Sequence, residues 1–335
     1  MRNGVVAGLR RAGYAVLVIV LVTFGVSLLL SLTPGSVAQV VLGEEATPEA
    51  VAELNRSLGL DRPLLVQYGD WVWHALQGDL GTSPITQRPV TQSILERVPV
   101  TLEIAVLGLV IALVVAVILA VLSASTPNGP VDRTINALTS ILLSVPTFVA
   151  APILIFVFAI VLKALPALGW TPLSEGLLPN LRSALLPALA AGLVEIAAFH
   201  RVLRGDLVGT LREDFVAAAR AKGMGRAYVM FRHAFRPSSF SLLTVSGLSL
   251  ARLIGGTVIV ETLFVLPGIG QYIAQSIAQR DVIAVQGAVA FIAIVFVVVN
   301  ALVDISYGLV DPRVRRAPRV RRTAAVTPSK QKVAA

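Results

Sequence analysis

The chain has 335 residues, of which 56% are hydrophobic and only 14% charged. A soluble domain carries about 25% charged residues, so this balance excludes an ordinary water-soluble enzyme and points to a bilayer. The net charge of +9 is no argument for nucleic acid, because the basic residues sit at the ends of apolar runs, and the lack of cysteine excludes a disulfide framework, a thiolate metal site and a cysteine nucleophile.

A spanning helix needs about 20 mostly apolar residues. Residues 1–12 form a short basic start, and the first candidate span is Gly13–Leu32. Arg2, Arg10 and Arg11 precede it, and Ser36-Val37-Ala38 could serve as a signal-peptidase site. The apolar run is nevertheless longer than a signal core, so an uncleaved anchor is expected. Residues 33–100 then form a long loop with helix signals of its own. Thr47-Pro48-Glu49 reads as a cap, a first-turn proline and a favourable acid, with Val51, Leu54 and Leu58 following at helical spacing up to Gly59. A second amphipathic piece after Pro63 carries Val66, Tyr68, Trp71 and Trp73. This loop reads either as a segment lying at headgroup depth or as a platform for a partner protein.

Residues 101–311 form the expected membrane core, with five further spans at 101–123, 135–162, 184–199, 240–260 and Val282–Val303. The third is long and interrupted by Pro146 and Pro152, and the fourth is short and weak. Helices are the form expected, since a backbone in hydrocarbon must satisfy its own hydrogen bonds. The fold class is therefore all-α integral membrane with six transmembrane helices. Residues 312–335 are basic, contain proline, lack apolar periodicity, and read as a disordered tail.

Lysine and arginine fall twenty on one side and seven on the other, with Arg252 inside a span. The twenty belong to both termini, to Arg133 and to the loop 204–238 with the residues just before it. This bias places both termini and that loop in the cytoplasm.

The loop carries the densest set of signals. Thr210 to Glu213 fits a capping box, Gly223 supplies a left-handed helix end, and Gly225 adds a second joint. A second short helix is expected from Arg226 to Arg236, ended by Pro237. On the first helix, Leu211, Phe215, Ala218, Ala219 and Lys222 share a face. One large anchor followed by alanines lets another surface approach closely. Alanine is also the best helix former, so an isolated run of it would mean little. Cap, anchor, small face and glycine corner together weigh more.

Glu103, Glu195, Arg252, Glu261 and Asp304 lie in or near spans, where charge is costly and is usually turned to a cavity or a partner. Glu103, Glu261 and Asp304 stand near span ends, where interfacial anchoring is favoured, and for Glu261 and Asp304 a place in a translocation pathway or in helix pairing is the alternative. Arg252 is deepest and reads as a helix-pairing residue or a contact in a translocation pathway, and Glu195, about one turn from the end of a weak span, is open between interfacial anchoring and such a pathway or pairing role. Gly255-Gly256 would permit close helix approach. The stretch LPGIGQYIAQSIAQRD (266–281) reads as a helix that dips at the outer face and returns. His74, His200 and His233 are scattered, and neither H-E-x-x-H nor G-x-S-x-G occurs, which gives no support to a hydrolase. A secondary transporter would show inverted repeats or paired broken helices, and no self-similarity is visible.

Ala218, Ala219 and Gly223 match part of a Glu-Ala-Ala…Gly motif, with Ala217 at the glutamate position. AARAKG (218–223), RHAFR (232–236), SLGLDRPLLVQYGDWVW (57–73), GDLGTS (78–83), GGTVIVETLFVLPGIGQY (255–272) and DPRVR (311–315) accompany it. In combination these resemble the permease subunit of bacterial ATP-binding-cassette importers of the dipeptide/oligopeptide branch, with a type I, MetI-like fold. The resemblance implies six spans in a bacterial inner membrane. It implies a second homologous permease subunit, two ATPase subunits and an extracellular or periplasmic substrate-binding protein as partners. The Ala-rich helix would be the coupling element, with Leu211, Glu213, Asp214, Phe215, Ala218, Ala219, Arg220, Lys222 and Gly223 toward the ATPase. No G-x-x-x-x-G-K-[ST] occurs, so no cofactor is expected on this chain, and ATP and magnesium would belong to the partners. The substrate implied is a peptide, with nickel, haem or glutathione as alternatives from related importers.

Overall fold

The computed structural model describes residues 2–32, 37–43 and 46–310, with the side chains of 10, 13–32, 37–43 and 46–303. The basic tail and the side chain of Asp304 lie outside the described residues.

The chain forms helices α1 (Arg2–Leu32), α2 (Val37–Leu42), α3 (Pro48–Ser57), α4 (Leu64–Leu76) and α5 (Val90–Ser125). There follow α6 (Pro130–Ser144), α7 (Thr147–Leu154), α8 (Leu177–Thr210), α9 (Asp214–Ala221), α10 (Arg226–Tyr228) and α11 (Phe235–Gly256). The chain then runs through α12 (Val258–Phe264), α13 (Ile269–Ala278) and α14 (Val282–Val310). Wider π turns extend α7 over Ile155–Val161 and join α10 to α11 over Val229–Ala234. Five helices are long and apolar enough to cross a membrane, or up to seven if each of two bent pairs is one span.

The centre of the bundle is α5 against α8, the most extensive helix pair. Their backbones nearly touch at two glycines. A Cβ on Gly192 would stand 2.6 Å from the Gly108 carbonyl oxygen, and one on Gly108 would stand 2.9 Å from that of Ala188. Ala112, Ala116, Ala120 and Ala124 continue this small seam along α5 at every fourth residue, all fully buried. Around it pack Ile196, Phe199, Leu203 and Leu207 of α8 and Leu242 of α11. Close approach was expected instead at Gly255-Gly256. There the nearest atom to an added Cβ is Ile292 Cγ2 at 4.0 Å from Gly255, and nothing lies within 4 Å at Gly256.

Three expectations change. The fourth span is not short: α8 runs from Leu177 to Thr210, and 67% of its most apolar stretch is buried, against 11% for α1. A helix ringed by other helices need not be apolar all round, so its hydropathy understates it. The third span is broken at Pro146 as expected, α6 and α7 turning through 110° there, whereas Pro152 lies inside α7 without ending it. The second begins at Val90 rather than 101, taking Pro99 inside the helix. Pro237 does not stop a helix, because the π turns preceding it leave room for its ring and α10 to α11 run on continuously.

In the first loop the Thr47 hydroxyl accepts from the Ala50 N–H at 3.2 Å and caps α3. Tyr68 on α4 meets α1 through Thr23 Oγ1 at 2.8 Å and packs its ring edge-on to Phe24. Trp71 is half-buried and Trp73 exposed. The GDLGTS stretch is tied to the start of α14. Ser83 donates to Asp281 Oδ2, while Asp281 Oδ1 accepts from the Ala284 N–H at 3.0 Å and caps that helix.

Candidate functional site

Three polar constellations lie along the bundle: at the end carrying α9, near its middle, and at the opposite end.

At the α9 end, α8 finishes at Thr210 and the backbone turns into α9 with Glu213 as its cap residue. No side-chain capping bond forms, and the expected capping box is therefore absent. The Thr210 hydroxyl lies 3.1 Å from Ser238 Oγ on α11 instead, since Thr210 still belongs to the helix before. Gly223 holds φ +78, and the Gly223 and Met224 N–H groups close the end of α9 on Arg220 and Ala219. The inward face of α9 is Val216 and Ala219, packed with Val229, Leu211 and Met224. Ala219 is therefore not available to another molecule, which corrects the single face drawn from the sequence. The outward face is Asp214, Phe215, Ala218 and Lys222, with Glu213, Arg220 and Gly223 also exposed. Phe215 leaves 49% of its surface uncovered, and Tyr228 and Phe231 add 53% and 59% on the next turns. An exposed aromatic set of this kind, rimmed by charge, has the composition of a protein-docking surface.

The same end is held by a bond that the sequence did not announce. Arg204 of α8 donates through Nε and Nη2 to both carboxylate oxygens of Asp132 in the first turn of α6, each at 2.6 Å. Ser123 Oγ and the Asn128 N–H also donate to Asp132, at 2.5 and 2.8 Å. Asp132 is 2% exposed and fully supplied with donors. Gly129-Pro130 followed by an acid at the third position was the available signal, a helix start with a first-turn carboxylate.

Near the middle, Glu195 of α8 and Arg252 of α11 form an ion pair at 3.2 Å. Ser249 Oγ donates to the same Glu195 oxygen at 2.6 Å and accepts from Arg252 Nη2 at 2.7 Å. Glu195 is buried, whereas the Arg252 side chain remains 60% exposed. The two residues that the sequence left separate thus come together within one chain. Most of the Arg252 side chain thus stays uncovered, although a charge within a span is costly to leave without a polar neighbour.

At the opposite end Glu261 is fully buried, which corrects its reading as an interfacial anchor. Thr101 Oγ1 donates to Glu261 Oε1 at 2.8 Å, and the Gln271 N–H donates to Oε2 at 3.0 Å. The Ile269 N–H donates to Thr101 Oγ1 at 2.9 Å, so carboxylate and hydroxyl together cap α13. Val265, at φ +55, makes the turn between α12 and α13, which meet at 82°. That backbone region is unfavourable for a β-branched residue. The Leu266 N–H, donating to the Glu261 carbonyl at 2.9 Å, helps to hold it. Gly268 and Gly270 leave room for the carboxylate, since a Cβ at either would fall within 3.0 Å of Glu261 Oε2. Glu103, half-buried nearby, lines a second opening of about 460 Å³ with Glu96, Arg97 and Trp170. Asp304 belongs to α14 by its backbone. Among the described residues no group of three or more His, Asp or Glu could hold a metal ion.

The model of the family described as "Binding-protein-dependent transport system inner membrane component" matches residues 112–316, and that of the N-terminal membrane component of such systems matches 7–105. The chain belongs to this family. A Brucella abortus relative, named as a peptide transport system permease protein, is 38% identical over 307 residues, covering 92% of this chain and 98% of its own. The dipeptide transport system permease protein of Alkalihalophilus pseudofirmus is 31% identical over 315 residues, covering 88% and 94%. The glutathione transport system permease protein of Salmonella choleraesuis is 31% identical over 290 residues, covering 87% and 92%. As a member of the family the chain is a multi-pass membrane protein and a subunit of a transport system. The constellations just described lie within the two matched regions.

Proposed function

We propose that the chain is one of two permease subunits of an ATP-driven importer of di- and oligopeptides. A second, homologous permease completes the pathway, two ATPase subunits dock at the α9 end, and a binding protein delivers substrate at the opposite end. ATP and magnesium belong to the ATPases, and this chain performs no hydrolysis. Both termini and α9 lie in the cytoplasm, in keeping with the arginine and lysine bias. The observation that carries the coupling role is the outward face of α9, with Phe215, Ala218 and Lys222 exposed on a short rod. The rod is tied to α8 and α11 through Leu211, Val216, Ala219 and Val229. A push on such a rod reaches both long helices at once. Peptide as the substrate is supported by the names of the peptide and dipeptide relatives.

The test is uptake of labelled dipeptide by vesicles containing the assembled transporter and its binding protein. Uptake with internal ATP and none with an ion gradient alone is expected. Uptake driven by the gradient would replace this reading with an ion-coupled carrier. A second substrate class, glutathione, is favoured by one relative, and competition between glutathione and dipeptide in the same vesicles decides between them.

A further inference from the structure

A cavity of about 610 Å³ opens beside the bundle, away from the three constellations above. Its walls are the end of α1, the α3–α4 turn with the inner side of α4, and the junction of α13 with α14. That volume falls within the range of small-molecule sites, roughly 300–1,000 Å³.

Among the described residues, two buried polar atoms on lining residues have no hydrogen-bond partner. Gln286 on α14 is only 6% exposed, yet its Nε2 donates to nothing, and the buried Oδ1 of Asn55 on α3 accepts from nothing. Natural structures rarely leave such groups empty without a ligand or water to meet them. The Arg280 side chain, on the same wall as Gln286, has no hydrogen-bond or ion-pair partner among the described residues. The chemistry is thus divided by wall. Donors and positive charge come from the α13–α14 side. On the α3–α4 side the Arg62 charge is already matched by Asp70 at 3.1 Å, which leaves the Asn55 acceptor, with Asp79 at the turn beyond α4. The remaining lining mixes apolar residues such as Leu30, Leu64 and Ile283 with Ser27, Ser31, Ser57, Gln67 and His74, and Tyr68 and Trp71 supply amphipathic rings; Gln67 already donates to the Leu60 and Arg62 carbonyls. Outside it, Leu29 and Leu32 of α1 stand 68% and 71% exposed, as a helix facing acyl chains would.

We propose that this cavity holds the headgroup of a membrane phospholipid of the ethanolamine class. The phosphate meets Gln286 Nε2 and Arg280, the ammonium meets Asn55 Oδ1 and Asp79, and the acyl chains lie along the outer faces of α1 and α14. A purely anionic headgroup would leave Asn55 Oδ1 and the second oxygen of Asp79, whose Oδ1 already accepts from the Gly81 N–H at 2.8 Å, without a donor, and a choline has no N–H to offer them. The ligand would fasten the loop helices to the first and last spans, adding to the contact of Tyr68 with Thr23 and the Val20 carbonyl.

The experiment places the assembled transporter in nanodiscs of phosphatidylethanolamine, phosphatidylcholine and phosphatidylglycerol in equal parts, extracts it, and counts retained lipid by native mass spectrometry. Retention of phosphatidylethanolamine at least fivefold above the other two is expected, and it should survive millimolar free phosphoethanolamine. Gln286→Leu should lower that retention at least fivefold with helix content and melting temperature maintained, because it removes an unpartnered polar group. If that variant does not fold, Arg280→Ala at a partly exposed position carries the same expectation. Equal retention of the three lipids, displacement by free phosphoethanolamine, unchanged retention in the folded variant, or a bound peptide in place of lipid would each overturn the proposal.

Discussion

Thr101 on α5 donates to Glu261 on α12 at 2.8 Å while accepting from the Ile269 N–H at 2.9 Å, so one hydroxyl joins three helices at the centre of the far end. The Glu261 carboxylate completes the cap of α13, and the two glycines beside it leave it room. Removing the carboxylate strands a buried N–H and a buried hydroxyl, at a cost of about 1–3 kcal/mol each. Glu261→Ala is therefore expected to lower the melting temperature of the purified protein clearly. Gly268→Ala, whose Cβ would fall 2.3 Å from the carboxylate, should do the same. An unchanged melting curve for both would show that this cap contributes nothing.

Asp132 and Arg204 make the corresponding bond at the α9 end. Loss of one partner from a buried pair costs about 3–5 kcal/mol, against about 0–1 kcal/mol for an exposed one. Asp132→Ala is expected to destabilise far more than Asp70→Ala, whose pair with Arg62 is exposed on both sides. Thermal unfolding of the two variants side by side checks this, and equal effects would contradict it.

The α5–α8 seam predicts a contrast between glycines. Gly192→Ala brings a methyl against the Gly108 carbonyl and should force the two helices apart, lowering stability and yield. Gly256→Ala meets nothing within 4 Å and should be neutral, or stabilising by about 0.5–1 kcal/mol through a stiffer helix. Size-exclusion profiles after heating separate the two outcomes.

On α9, neighbouring alanines should behave differently. Ala218→Glu leaves the fold intact and is expected to reduce ATP-driven uptake at least tenfold, with the ATPase subunits bound less well. Ala219→Glu places a carboxylate among Val216, Val229 and Met224 and should lose assembled protein altogether. Uptake normalised to protein in the membrane distinguishes them, and full uptake by Ala218→Glu would remove the coupling role from this face.

Much of the fold is legible before any coordinates. The apolar runs of α1, α5 and α14 stand out because their outer faces meet lipid. Gly223 is recognisable as a helix end because a glycine tolerates φ +78 without cost. The Thr47 cap is equally local, a hydroxyl reaching a backbone N–H three residues on. By contrast α8 looks weak on hydropathy, since a largely buried helix can carry Glu195 and Arg204 where Arg252 and Asp132 meet them from other helices. Pro237 misled for a related reason, because π turns in the helix before it are not encoded by any single residue.

Composition and the spacing of apolar runs determined by themselves that this is a helical membrane protein, that α9 ends where it does, and which motifs belong together. Those features depend on transfer from water and on bonds between residues three or four apart. Only the tertiary structure decided that Glu195 meets Arg252, that Asp132 meets Arg204 and that Glu261 turns inward to Thr101. It also decided which alanine of α9 faces outward. Each of these rests on helices separated by tens of residues coming side by side, and a charge in a span costs the same in the sequence whether or not a partner waits across the bundle.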